Sequence, residues 1–195
     1  HPPLVLVHGL LDTPEVFRLL RQHLGGQRPD LLIPALPMRF GLTPVREAAL
    51  HLQQQIEAVA PGTGPLHVLG FSMGGVIARS WIQQLGGQRR TRRFISLGSP
   101  QQGTWTAQPW PRRLFPGLAD LRCGSALLQE LNSDLEGLRG VECHSFYSAL
   151  DLAVLPGWRA VLPVGTARAL PVATHPQLLR DSAALRPLAQ ELLRI

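Results

Sequence analysis

Short apolar runs rich in valine, isoleucine and leucine alternate along the chain with longer stretches of helical period. Runs of the first kind predict strands over 4–7, 31–33, 66–70, 94–97, 143–147 and 169–172. Stretches of the second kind predict helices over 14–24, 45–59, 73–85, 125–132 and 182–193. Strands alternating with helices predict a mostly parallel sheet of about six strands with helices on both faces, a three-layer α/β arrangement. No repeat or low-complexity linker divides the 195 residues, so a single domain over 1–195 is expected. Residues 98–140 form a long connection rich in proline and glycine with one short helical pattern. That length marks a lid or substrate-binding insertion.

Composition removes whole classes of chemistry. All 19 basic residues are arginine, so a Schiff-base lysine, a Ser-Lys dyad and a P-loop lysine are excluded. Cys123 and Cys143 are too few for a tetrathiolate metal site and are not spaced as a C-x-x-C redox pair; both are expected to be free thiols. No uncharged apolar run reaches the roughly 18 residues that cross a bilayer. The start at His1 reads as a trimmed terminus, which leaves room for a removed targeting segment; a cytoplasmic location is the default expectation. The net charge of +6 comes partly from Arg89-Arg90-Thr91-Arg92-Arg93, which precedes a predicted strand and is read as a solvated loop, with transient contact to an anionic membrane surface as the second reading. No nucleic-acid motif accompanies the charge, and a monomer is expected.

Candidate chemistry begins at Gly70-Phe71-Ser72-Met73-Gly74, a G-x-S-x-G turn between a predicted strand and a predicted helix. Such a turn needs Gly70 and Gly74 because side chains there would meet the neighbouring backbone. Ser72 is the candidate nucleophile. Of the seven histidines, His175 directly follows the last predicted strand and precedes the last helix, which makes it the candidate base. Asp151 follows the fifth strand and precedes His175, giving the chain order Ser, Asp, His. The backbone N–H groups of Met73, at a helix N-terminus, and Leu10, just after the first strand, are the candidate oxyanion donors. Within the insertion, Trp105, Trp110 and Phe115 are candidate walls for an acyl chain, as are Leu11 and Phe71 beside the motifs.

Val5-Leu6-Val7-His8-Gly9, Gly70 to Gly75, Ser96 to Pro100 with Gly103-Thr104, Ser145 to Asp151 and His175 together resemble the α/β-hydrolase superfamily. The likeness is to its small, single-domain bacterial lipases and esterases and a cyanobacterial branch of related hydrolases. It implies an α/β-hydrolase fold without a large cap domain, and a serine acyl hydrolase that uses no metal or organic cofactor. It also implies Ser72, Asp151 and His175 as the triad. Gln101-Gln102 departs from the resemblance, since many lipases of this type carry a basic residue or histidine before the Gly-Thr pair. The expected activity is hydrolysis of hydrophobic acyl esters, lipids among them. Thioester hydrolysis or acyl transfer on the same triad, and a non-catalytic hydrolase-like binding protein, are the alternatives.

Overall fold

Six strands build one sheet in the computed structural model, which describes residues 1–194. They are β1 (Leu4–Val7), β2 (Leu31–Leu32), β3 (Leu66–Phe71), β4 (Thr91–Leu97), β5 (Glu142–Tyr147) and β6 (Thr166–Ala169). Their spatial order is β2-β1-β3-β4-β5-β6, and every neighbouring pair is parallel. Parallel neighbours need connections that cross a face of the sheet. The helices on those connections are α1 (Arg18–Leu24), α2 (Val45–Val59), α3 (Met73–Gln84), α4 (Pro116–Asp120) and α5 (Ala126–Ser133), and α6 (Ser182–Leu193) follows the last strand.

Alternation along the strands supplies two cores. Leu4 and Leu6 of β1 and Leu69 and Phe71 of β3 point to the face covered by α1 and α6, where they meet Phe17, Leu20, Leu185 and Leu188. Val5, Val7, Leu66 and Val68 point to the other face and pack against Leu52 and Ile56 of α2 and Val76 and Ile77 of α3. Side chains of this size contribute about 1.5–3 kcal/mol each when fully buried, so the sheet is held from both sides and its strand ends are fixed. Among the described residues no large cap domain covers the carboxyl edge, as the resemblance implies.

Three expectations need correction. The sixth strand is Thr166–Ala169, three residues before the predicted 169–172. Its four residues are exposed on the sheet edge, whereas the apolar Leu170 and Val172 that suggested a strand are buried just beyond it, in the core under α6. The arginine run is not all loop: β4 starts at Thr91, and Arg93 is buried in it with its Nε 2.8 Å from Glu142 and 3.7 Å from Glu191. The 98–140 segment also carries more structure than one helix. It holds α4, α5 and short 3₁₀ turns at Trp105–Ala107 and Leu135–Leu138.

Caps explain where several helices begin. Ser125 Oγ accepts from the N–H of Leu128 at 3.2 Å, and Asp181 Oδ1 accepts from Ala183 at 2.8 Å. Pro44 cannot cap α2, and Asp120 does so across the fold, accepting the Val45 N–H at 3.0 Å. Among the described residues, no helix is long and apolar enough to cross a membrane.

Candidate active site

Strand order reverses between β1 and β3, because the chain winds first toward β2 and then toward β4. Loops at the carboxyl ends of two such strands diverge to opposite faces and leave a crevice, the usual ligand position in an open α/β sheet. His8-Gly9-Leu10 leaves β1 there and Ser72 leaves β3 there.

Ser72 has φ 55° and ψ −131°, a conformation that costs on the order of 1–3 kcal/mol for a residue with a side chain. It persists because glycines let the backbone close around it. A Cβ on Gly70 would fall 2.3 Å from the Cα of Gly75, and one on Gly74 would fall 2.2 Å from the carbonyl oxygen of Val7. Gly75 presses equally hard on Ser99, whose Oγ would lie 1.9 Å from its Cβ. The elbow is therefore wedged between β1 and the loop after β4.

Two backbone donors flank the serine. Met73 opens α3 and so has no acceptor one turn back, and the N–H of Leu10 has no acceptor among the described residues. His8 braces the turn that carries Leu10: its Nε2 accepts from the Leu36 N–H at 3.0 Å, which leaves Nδ1–H to donate to Gly9 O, also at 3.0 Å. Both its nitrogens are thus occupied.

His175 opens a 3₁₀ turn, His175–Leu179, whose capping box joins Thr174 and Gln177. Its Nδ1 lies 2.6 Å from Asp151 Oδ2, and its ring stacks on Phe71 with centroids 4.8 Å apart. Asp151 is buried, and its Oδ1 accepts from the N–H groups of Ala153 at 2.7 Å and Val154 at 3.2 Å. Three hydrogen bonds and the Phe71 ring fix the imidazole so that Nε2 is the nitrogen left for a hydroxyl proton. The Ser72 hydroxyl and the imidazole border the same cleft without a hydrogen bond between them. Such contacts are often loose until substrate is bound.

An apolar cavity of about 580 Å³ opens on Ser72 and Met73. Trp110, Phe115, Leu118 and Leu121 of the 98–140 segment line it, together with Leu10, Leu11 and Phe40. Trp105 lies outside its wall and is 59% exposed, because its 3₁₀ turn directs Thr106 and Ala107 inward instead. Phe71 lies beneath His175 and not in this wall, since it faces the α1–α6 side of β3.

A family model for palmitoyl protein thioesterase matches residues 3–147. The chain belongs to that family. Lysosomal thioesterase PPT2 of Bos taurus is 29% identical over 120 residues, 60% of this chain and 39% of the relative. A homologue of that thioesterase from Drosophila melanogaster is 31% identical over 124 residues, 61% of this chain and 42% of the relative. The matched segment thus spans about two fifths of the length of these curated relatives. Among solved structures, the mature Bacillus licheniformis lipase BlEst2 superposes with a TM-score of 0.74 at 15% identity, covering 100% of this chain and 92% of that one. Aspergillus fumigatus lipase B gives 0.73 at 19% identity, covering 99% of this chain and 52% of that one. The thioesterase-family chain therefore has the α/β-hydrolase fold; the cyanobacterial branch is not shown.

One support of the site, Arg79, had no sequence signal strong enough to single it out. Arg79, fully buried in α3, has no carboxylate partner among the described residues; burial lowers its pKa to about 10, so the guanidinium stays charged at neutral pH. Leu131 O at 2.8 Å and Asn132 Oδ1 at 2.9 Å, at the carboxyl end of α5, and Gln83 Oε1 at 2.6 Å hold it. It also reaches Gln101 O at 3.3 Å, while Gln101 Nε2 donates to Ser96 Oγ at 2.9 Å. Here the Gln101 departure has its physical role: it joins the helix behind Ser72 to β4.

Proposed function

We propose that this thioesterase-family chain is a serine hydrolase that cleaves hydrophobic acyl esters through Ser72, His175 and Asp151. The observation that carries the proposal is the apolar 580 Å³ cavity opening on a serine held at a strained strand-to-helix turn. His175 Nε2 takes the proton of Ser72 as its Oγ bonds to the ester carbonyl carbon, and Asp151 favours the imidazolium that forms. The Leu10 and Met73 N–H groups receive the oxyanion, each such donor contributing about 2.7–4 kcal/mol. Collapse breaks the bond to the leaving oxygen, which takes the proton from Nε2 and departs as alcohol. Water then attacks the acyl-enzyme by the same route and frees the acid. The residues named need no metal or organic cofactor for these steps.

Thioester hydrolysis is the second reading, favoured by the family match and by the named relatives, which are thioesterases. Its leaving sulfur uses the same groups. Exposed Leu11, Phe40 and Leu152 border the cavity mouth and give transient contact with a lipid surface a physical basis at this end of the sheet. The test is a chain-length series of ester and thioester substrates run against Ser72→Ala. Wild-type turnover and fluorophosphonate labelling are both expected to disappear in the variant. Retention of either by folded Ser72→Ala refutes the assignment.

A further inference from the structure

Ser72 borders two largely apolar clefts, of which only one carries charged side chains. The larger cavity has no charged side chain in its wall and does not include His175. The smaller, about 280 Å³, is bordered by His175 together with Asp12 and Arg180. This asymmetry assigns the two halves of a substrate. The departing atom must receive its proton from His175, so the leaving group lies on the side that His175 borders, and the acyl chain runs the other way.

We infer that the smaller cleft is a leaving-group subsite selective for an alcohol or thiol that carries an anionic substituent, a carboxylate or a phosphate, engaged by Arg180. This rests on the reading of Ser72 and His175 proposed above. Arg180 directly follows the 3₁₀ turn that presents His175, and among the described residues its guanidinium makes no ion pair or side-chain hydrogen bond. Its planar fork of donors is therefore free to grip an oxyanion in two places. Asp12 sets the direction. A Cβ on Gly9 would lie 2.7 Å from Asp12 Oδ2 and 2.9 Å from Ser72 Cβ, so this carboxylate stands close to the reacting end. It accepts an N–H or O–H near the scissile bond and repels an anion placed there, which drives the anionic substituent toward Arg180.

The octanoyl esters of 4-hydroxybenzoate and of methyl 4-hydroxybenzoate differ in one negative charge on otherwise similar leaving groups. The ratio of kcat/KM between them is expected to fall about tenfold in Arg180→Gln, mainly through KM, as for loss of a charge-assisted hydrogen bond. Asp12→Asn is expected to raise the same ratio, and added salt to shrink the wild-type preference. The octanoyl ester of 4-hydroxyphenyl phosphate separates phosphate from carboxylate, because the preferred anion shows the larger loss in Arg180→Gln. An unchanged ratio in folded Arg180→Gln for both anionic probes overturns the subsite. Failure of the wild type to hydrolyse any of these esters, or equal hydrolysis by Ser72→Ala, overturns the underlying reading of Ser72 instead.

Discussion

Replacing Gly74 with alanine tests whether backbone contact positions the nucleophile. The new methyl would sit 2.2 Å from the carbonyl oxygen of Val7 and 2.5 Å from that of His8, where ordinary contacts begin at 3.4 Å. Both obstacles are main chain, so relief requires α3 and the end of β1 to separate by about 1 Å. Overpacking of this kind costs roughly 1–3 kcal/mol. In a chain of this size that lowers Tm by roughly 2–4 °C per kcal/mol. The larger loss falls on turnover, because the loop after β1 carries the Leu10 N–H and α3 the Met73 N–H, and a 1 Å misplacement costs about 10²-fold in rate. Urea unfolding followed by circular dichroism gives the first quantity, and kcat on a short-chain chromogenic ester gives the second. Gly64→Ala is the control, since nothing lies within 4 Å of its added Cβ. Gly74→Ala matching the wild type within 0.5 kcal/mol and twofold in kcat would refute the reasoning.

Other outcomes follow from the same geometry. Asp151→Asn keeps an oxygen for the Ala153 and Val154 N–H groups and turns its amide toward His175 Nδ1, which traps the proton on Nε2; kcat is expected to fall roughly 10⁴-fold with little change in stability. Burial, with Arg28 and Arg93 nearby and Glu142 opposing them, holds His67 at a pKa of about 4. The unfolded chain takes up that proton near 6.5, so His67 contributes stability above pH 6.5 that is lost as pH falls toward 4; denaturation curves of His67→Gln are expected to be flatter across that window. Burial raises the Cys143 thiol to about 11, while Cys123 is only half-buried. Iodoacetamide at pH 8 is expected to modify Cys123 in the native protein and Cys143 only after unfolding, as peptide mapping would show.

Strands buried on both faces announce themselves, as β1 and β3 do; β4 shows only its Phe94–Leu97 half as an apolar run, and β5 is only partly buried. The edge strand β6 is not legible, because Thr166–Ala169 buries nothing and the apolar cue marks the core next to it. Ser72 follows β3 directly, and Asp151 and His175, placed in the loops after β5 and β6, are singled out as its candidate partners by the same pattern. The gathering of Asp12, His175 and Arg180 on one side of the crevice is not legible, because it depends on where separate loops converge. Arg93 misled for a related reason: a charged residue beside three other arginines looks solvated until Glu142 and Glu191 arrive from distant parts of the chain.

The walls of the apolar cavity come largely from the excursion after β4, while Ser72, Asp151 and His175 hang from strand termini that the two cores hold in place. Under the proposed reading, bulk at the cavity-lining positions Trp110, Phe115 and Leu118 can be changed by mutation while Gln101 and the end of α5 keep bracing Arg79 behind Ser72. If the cavity holds an acyl chain as proposed, diversification for new acyl preferences has a natural target in the stretch from Pro109 to Leu118.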